Sequence, residues 1–530
     1  MTHFTTLAEM VAQQTPGAIA MTAPSGVPLS YGGLQALIQR TTDALNGFGI
    51  GRGDRVGIVL PNCPEMACAF VAVASACTAA PLNMAYRADE FEFYLNDLNA
   101  KALIVAQGSD TPAVAVAEKK GIAVLDLHAH PQQGAGSFTL AARAVTVRPE
   151  PVEGPAGFDR LSPNSGMSFV NIKKGPAQAE DIALILHTSG TTSRPKIVPL
   201  SHRNVCASAR NIRSTLRLTA DDRELHIMPL FHIHGLIAGV LAPMAAGSQI
   251  FCTPGFNALR FFAWMKECKP TWYTAVPTMH QTILSRAAGN ADVIAAHPLR
   301  FIRSSSSSMP PQVIAELERV FKAPVIESYG MTEAAHQMAS SPLPPARRIP
   351  GSVGIAAGPE VAIMDNSGAL LKAGETGEIV IRGDNVTAGY ENNAAANAEA
   401  FVKGWFRTGD QGVLDADGYL TLSGRLKEII NRGGEKISPR EVDEVLMDHP
   451  AVAQVVTFAM PHDKLGEEVA AAVVLREGHH LTERELRDFV ATRLADFKVP
   501  KKILFLAEIP KGATGKLQRI GLAAKLGLGG

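Results

Sequence analysis

The sequence has few cysteines, no excess of either charge and no clean apolar run of membrane-spanning length. Six cysteines in 530 residues are too sparse for a disulfide scaffold. Cys63 and Cys68 lie close together, but neither a second pair nor a His partner completes a zinc pattern. Both read as core thiols, and a reducing cytoplasm is the expected compartment. Lys plus Arg equals Asp plus Glu at 50 each, so nothing global draws the chain to nucleic acid or an acidic membrane. The Ala-rich run from Met66 to Leu82 is broken by Cys and Thr and reads as a buried helix, not a span. The start, "MTHFTTLAEM", lacks a basic segment followed by an apolar one, so no secretory signal is expected. The end, "LGLGG", is not a Ser-Lys-Leu-type signal. Internal repeats are absent as well.

What is present is length and a regular rhythm. A chain of 530 residues with 46% hydrophobic content exceeds one ordinary core, and two or more globular domains follow. Over 31–105, helical patterns alternate with short apolar strands such as those in "GDRVGIVLPN" and "KALIVA", the signature of an α/β layer fold with mainly parallel sheets. From His128 to about Glu180 the pattern weakens into Gly- and Pro-rich stretches, which predicts a long surface excursion before the strand "DIALIL". A second boundary lies near residue 425. There Ser438 and Glu441 form a capping-box pattern with Pro439 at the first helical position, and Val442, Val445 and Leu446 supply an apolar face. The expected organisation is a large multi-subdomain N-terminal body over 1–426 and a small, mobile α+β C-terminal domain over 427–530.

The segment "ILHTSGTTSRPKIVPLSHRN" (185–204) sets small and hydroxyl residues between an apolar run and the cations Arg194 and Lys196. Gly190 lets backbone approach closely, while N–H groups and the hydroxyls of Thr188, Ser189, Thr191 and Thr192 can donate to phosphate oxygens. The Gly-Lys-Ser/Thr ending of P-loop NTPases is missing and Pro195 stands where a helix would begin. Spacing alone leaves a phosphate cradle and a plain polar loop equally open.

Further motifs shift that balance. "HTSGTTSRPKIV", "PLFHIHGL", "ESYGMTE", "GWFRTGD", "GRLKEIINRGGEKISPREVD" and "PKGATGK" occur in this order along nearly the whole chain. Together they resemble the adenylate-forming superfamily of acyl-CoA synthetases, luciferases and adenylation domains. The resemblance implies that a carboxylate attacks the α-phosphate of ATP, giving an acyl-adenylate, and that the thiol of coenzyme A then displaces AMP. Such chemistry rests on positioning and charge stabilisation, with no protein nucleophile needed.

On that resemblance, residues 188–196, with Lys196, would cradle the β- and γ-phosphates. Glu333 would bind Mg²⁺, a hard cation suited to a carboxylate. Tyr329 would stack on adenine, Thr332 would contact the α-phosphate, and Asp410 would accept both ribose hydroxyls. Arg425 would approach ribose and phosphate. Ser306 and Ser307 would border the adenine, and Lys516 would reach the reacting phosphate during adenylation. Lys427 occupies the hinge position about which the C-terminal domain rotates, and Gly433 and Gly434 would line the path of the CoA arm. One departure is Ile197, where the superfamily usually carries Gly, so the loop end should be stiffer.

The wider set "TSGTTSRPK", "PLFHIHGL", "TWYTAVPTMH", "FIRSSSSSMPP", "MTEAAHQM", "PGSVG" and "NRGGEKISP" is similar to the oxalate–CoA ligase subgroup. His232 corresponds to the gate between ATP and the acyl pocket. His234 and His336 would face a small polar acid, whose second carboxylate is costly to bury unpaired. Arg303 and Ser305 would assist. Alternatives with the same ATP chemistry are malonate or another short, medium-chain or aromatic acid, and a separate carrier protein in place of CoA. No nucleic-acid partner is expected.

Overall fold

The computed structural model describes residues 3–143, 173–188, 195–510 and 517–528. The chain divides into two compact units, one formed by Met1–Leu186, Ile197–Thr274 and Thr332–His336, the other by His187–Lys196, Ala275–Met331 and Gln337–Gly530.

In the first unit, a seven-stranded sheet runs in the order Phe138–Ala142, Ala123–Ala129, Ala102–Ala106, Arg55–Val59, Thr78–Pro81, Ile182–His187, Ile197–Ser201. Neighbouring pairs around Arg55–Val59 are parallel, and these strands are apolar at nearly every position because both faces are covered. The helix Pro64–Ala76 is buried at every residue from Met66 to Ala76. The apolar run expected as one helix is thus a helix followed by the strand Thr78–Pro81, with the break at Cys77 in extended backbone. The start of the stretch expected to be a surface excursion from His128 is instead regular structure. Phe138–Ala142 pairs antiparallel with Ala123–Ala129 at the sheet edge, and residues 144–172 lie outside the described residues.

A second group of strands in this unit runs Leu29–Ser30, Ile19–Thr22, Gln249–Cys252, Arg223–His226, Trp272–Ala275. It is parallel except for the first pair. The parallel architecture brings the ends of the last two strands beside the segment "PLFHIHGL". There Gly235 is required by packing, since a Cβ would stand 2.2 Å from the Pro229 carbonyl oxygen.

In the second unit, Phe301–Ser305 and Val325–Met331 pair in parallel with Ser305 opposite Ser328. The strands Glu360–Met364, Thr376–Arg382 and Trp405–Leu414 form an antiparallel sheet with Leu420–Arg425. A further sheet contains Ile430–Arg432, Glu435–Ile437, Val452–His462 and Gly466–Leu475, antiparallel throughout, with Lys502–Phe505 added in parallel. Its core joins Ile430, Val442, Leu446, Val469, Leu486 and Ile503, so the helices Pro439–Met447 and Glu483–Ala491 cover it. Ser438 caps the first of these by accepting from the Glu441 N–H at 3.3 Å. The expected capping box is only half made. The Glu441 carboxylate instead takes Lys498 Nζ at 2.6 Å, because a full charge is a stronger partner than the cap N–H.

Candidate active site

The ends of the 188–196 loop are tied together. The Thr188 N–H donates to the Lys196 carbonyl at 3.0 Å, and the Lys196 N–H donates to Thr188 Oγ1 at 3.2 Å. Lys196 Nζ stands 4.3 Å above the centre of the Tyr390 ring, a contact that orients the ammonium without neutralising it. Ile197 begins a strand and packs in the core with Ile185, which accounts for an apolar residue at that position. Ser189, Gly190, Thr191, Thr192 and Arg194 lie outside the described residues, as does Lys516.

Three of the expected nucleotide residues form one cluster. The Tyr329 hydroxyl donates to Asp410 Oδ2 at 2.5 Å, and Arg425 Nε lies 3.5 Å from Asp410 Oδ1. Asp410 and Arg425 are cross-strand partners, so the antiparallel register itself creates the ion pair. Burial, with the neighbouring Asp410 charge second, holds the Tyr329 phenol far above its usual range. The phenol therefore stays protonated and keeps donating. Asp410 is buried while Arg425 remains exposed, a geometry that leaves the cation accessible to an anionic ligand.

Glu378 is a residue that sequence reasoning passed over. Buried on Thr376–Arg382, it accepts from the Gly409 N–H at 2.9 Å and from Arg407 Nε at 2.6 Å. Gly409 has φ +75°, a left-handed turn that favours glycine. Glu378 thus holds the turn "RTGD" that presents Asp410. The only sequence signal was an acidic residue in an otherwise apolar strand pattern.

The serine run is partly structural. Ser305 is buried and donates through Oγ to the Ser328 carbonyl at 2.8 Å. Ser306 is half-buried with φ +72°, and Ser307 is exposed. Arg303 is fully buried, donating from Nη2 to Ser328 Oγ at 2.7 Å and to Gln337 Oε1 at 3.3 Å. Burial pushes its guanidinium down to about 9, so it remains a cation at neutral pH.

The histidines lie in the first unit. His234 is the first residue of a π-helical segment, His234–Leu241, a rare geometry that often marks functional sites. It is fully buried, with Nε2 2.7 Å from Thr274 Oγ1. Its ring stacks on that of His336 with centroids 4.9 Å apart and planes 19° from parallel. The half-buried His232 accepts the His234 N–H at Nδ1, 3.3 Å away. Thr332 and Glu333 occupy the short 3₁₀ turn Thr332–Ala334, with Glu333 buried. The chain then passes through two positive φ values, +46° at Ala335 and +96° at His336. Backbone of this kind in non-glycine residues is strained and persists only where the surroundings enforce it.

Gly433 and Gly434 form the two-residue connection between Ile430–Arg432 and Glu435–Ile437, with φ +58° and +102°. The hairpin turn itself calls for glycine there. Lys427 is exposed in the 3₁₀ turn Leu426–Glu428. Among the described residues no group of three or more His, Cys, Asp or Glu is arranged to hold a metal. The buried Glu333 carboxylate is a hard oxygen donor that fits Mg²⁺ shared with phosphate and water, the usual mode for this ion. No helix among the described residues is long and apolar enough to cross a membrane.

Comparison with known proteins follows the same lines. Residues 8–391 match the family described as AMP-binding enzyme, and residues 441–516 match the AMP-binding enzyme C-terminal domain. The chain is 44% identical over 519 residues to an oxalate–CoA ligase of Arabidopsis thaliana, covering 97% of this chain and 96% of the relative. It is 42% identical over 486 residues to an oxalate–CoA ligase of Saccharomyces cerevisiae, covering 88% and 86%. The fold is similar to that of ATP-bound MatB from Rhodopseudomonas palustris, with a TM-score of 0.84, 27% identity and 99% of each chain covered.

Proposed function

Because the chain belongs to the AMP-binding enzyme family, we propose that it is an ATP-dependent acid–CoA ligase whose acid is oxalate. One oxalate carboxylate oxygen attacks the α-phosphorus of ATP, forming an O–P bond while the bond to the β-phosphate breaks and pyrophosphate leaves. The CoA sulfur then attacks the activated carbonyl carbon. The C–S bond forms, the C–O bond to AMP breaks, and the thiol proton is released. The products are oxalyl-CoA, AMP and pyrophosphate.

The observation that carries the choice of acid is the buried stack of His234 and His336. Two imidazoles held by Thr274 and by enforced backbone make a polar wall that suits a small anion with a second charge better than an alkyl chain, because a buried carboxylate needs polar neighbours and an alkyl chain does not. The names of relatives at 44% and 42% identity support the same acid. Arg303 and Ser305 are assigned to this acid as well, and His232 to the gate beside it.

For the nucleotide, Tyr329 would lie against adenine, with Ser306 and Ser307 along its edge. Asp410 and Arg425 would take the ribose. Thr188 to Thr192 and Lys196 would surround the β- and γ-phosphates, and Thr332 the α-phosphate. Bound at Glu333, Mg²⁺ would neutralise phosphate charge. Lys516 supplies the cation at the reacting phosphate, and Lys427 is the hinge of a C-terminal domain, 427–530, that turns between the half-reactions. Gly433 and Gly434 border the CoA path. Six free cysteines favour a reducing cytoplasm as the compartment.

The test is to incubate the protein with Mg²⁺, ATP, CoA and oxalate and identify products by mass. Oxalyl-CoA with equimolar AMP and pyrophosphate is expected. AMP formed with another acid but not with oxalate would refute the assignment of the acid.

A further inference from the structure

The stretch that follows residue 516 is anchored by one guanidinium. Arg519 Nη2 lies 2.7 Å from Asp443 Oδ2, and its Nε lies 3.3 Å from Glu428 Oε2. Its Nη1 donates to the Thr457 carbonyl at 2.8 Å, and the Thr457 N–H donates to Asp443 Oδ1 at 2.6 Å. Four chain segments therefore meet at one planar fork: the turn Leu426–Glu428, the helix Pro439–Met447, the strand Val452–His462 and the residues after 516.

Stability alone is a poor reason for this arrangement. An ion pair drawn partly out of water, as this one is, gains little net stability, because both charges give up hydration. Burial indeed holds the Asp443 carboxyl above its ordinary value despite the adjacent Arg519. What the fork does supply is geometry, since guanidinium fixes several acceptors in one plane as an ammonium cannot.

We propose that Arg519 is a positioning residue that joins the turn beside Lys427 and the residues after Lys516 into one rigid body. This rests on the roles assigned above to Lys427 and Lys516. Glu428 then belongs to the moving part, and rotation is confined to torsions at or before Lys427. Three residues of chain, at most about 10 Å, separate Arg519 from Lys516, which lies outside the described residues.

The experiment uses the full chain as Arg519→Lys and Glu428→Gln. It measures oxalate-dependent ATP–pyrophosphate exchange for the first half-reaction, oxalyl-CoA formation for the whole, KM for ATP and oxalate, and Tm. Arg519→Lys keeps the charge but loses the fork. Misplacement of the Lys516 stretch should lower the kcat of exchange by about tenfold to a hundredfold, with both KM values little changed. Glu428→Gln releases only the hinge side, so exchange should persist while oxalyl-CoA formation falls. Unchanged exchange in Arg519→Lys, equal losses of exchange and oxalyl-CoA formation in Glu428→Gln, or a change in Tm alone in both variants, would overturn the proposal while leaving the ligase reading intact. An inactive wild-type protein with every acid would overturn both.

Discussion

Replacing His336 by glycine and by alanine separates what its backbone stores from what its ring does. The residue sits at φ +96°, a conformation that costs a non-glycine residue about 1–3 kcal/mol. Alanine keeps that strain, whereas glycine releases it at an unfolded-state entropy penalty of about 0.5–1 kcal/mol. Both variants lose the stack on His234, worth about 0.5–1.5 kcal/mol, so this term cancels between them. His336→Gly should therefore be more stable than His336→Ala by about 1 kcal/mol, a gain of roughly 2 °C in Tm for units of this size. On the proposed role of His336, both should also lose one hydrogen bond to the substrate carboxylate. At about 1.5–3 kcal/mol for a charged partner, kcat/KM for oxalate falls by about tenfold to a hundredfold, with KM for ATP unchanged. Scanning calorimetry and steady-state kinetics on the three proteins decide the matter. An alanine variant as stable as the glycine variant would refute stored strain, and wild-type kcat/KM for oxalate in either would remove the ring from the site.

Other expectations follow from single groups. Burial pushes the Glu327 carboxyl up to about 7, against the pull of Arg440. The folded state then holds a proton that the unfolded state releases near its ordinary 4.5, so this group's contribution is fully present below 4.5 and is lost as pH rises to 7. Glu327→Gln should flatten the fall in Tm between pH 5 and pH 8, removing a term of up to about 3 kcal/mol; an unchanged pH profile would refute this. Tyr329→Phe deletes the donor to Asp410 and should raise KM for ATP by about tenfold with KM for oxalate unaffected, as initial rates at varied ATP would show. Gly433→Asn suits φ +58°, so a fold-competent variant with a raised KM for CoA supports the assigned CoA path. An unchanged KM would leave Gly433 to the hairpin alone.

The parallel strands were legible because strands covered on both faces are continuous apolar runs, as in "KALIVA" and "DIALIL". Phe138–Ala142 was not, since it is an edge strand with a mostly exposed pattern, set among Gly and Gln. The run from Met66 to Leu82 hid its break at Cys77 because full burial erases the periodicity that separates helix from strand. Motif order pointed to Tyr329, Asp410 and Arg425 individually. Their union depends on a register that shifts at a bulge between Gln411 and Gly412, which no local pattern encodes. The His234–His336 stack likewise joins segments far apart in sequence, and the positive φ at His336 leaves no compositional trace.

The most direct test of the account is the specificity ratio of the wild-type protein, kcat/KM for oxalate against malonate, acetate, octanoate and a coumarate, with acyl-CoA formation followed by mass. The histidine stack predicts oxalate as the preferred acid by a wide margin, with oxalyl-CoA as product. Preference for a longer or aromatic acid would contradict it, and would return His234 and His336 to the role of core residues in a ligase for some other substrate.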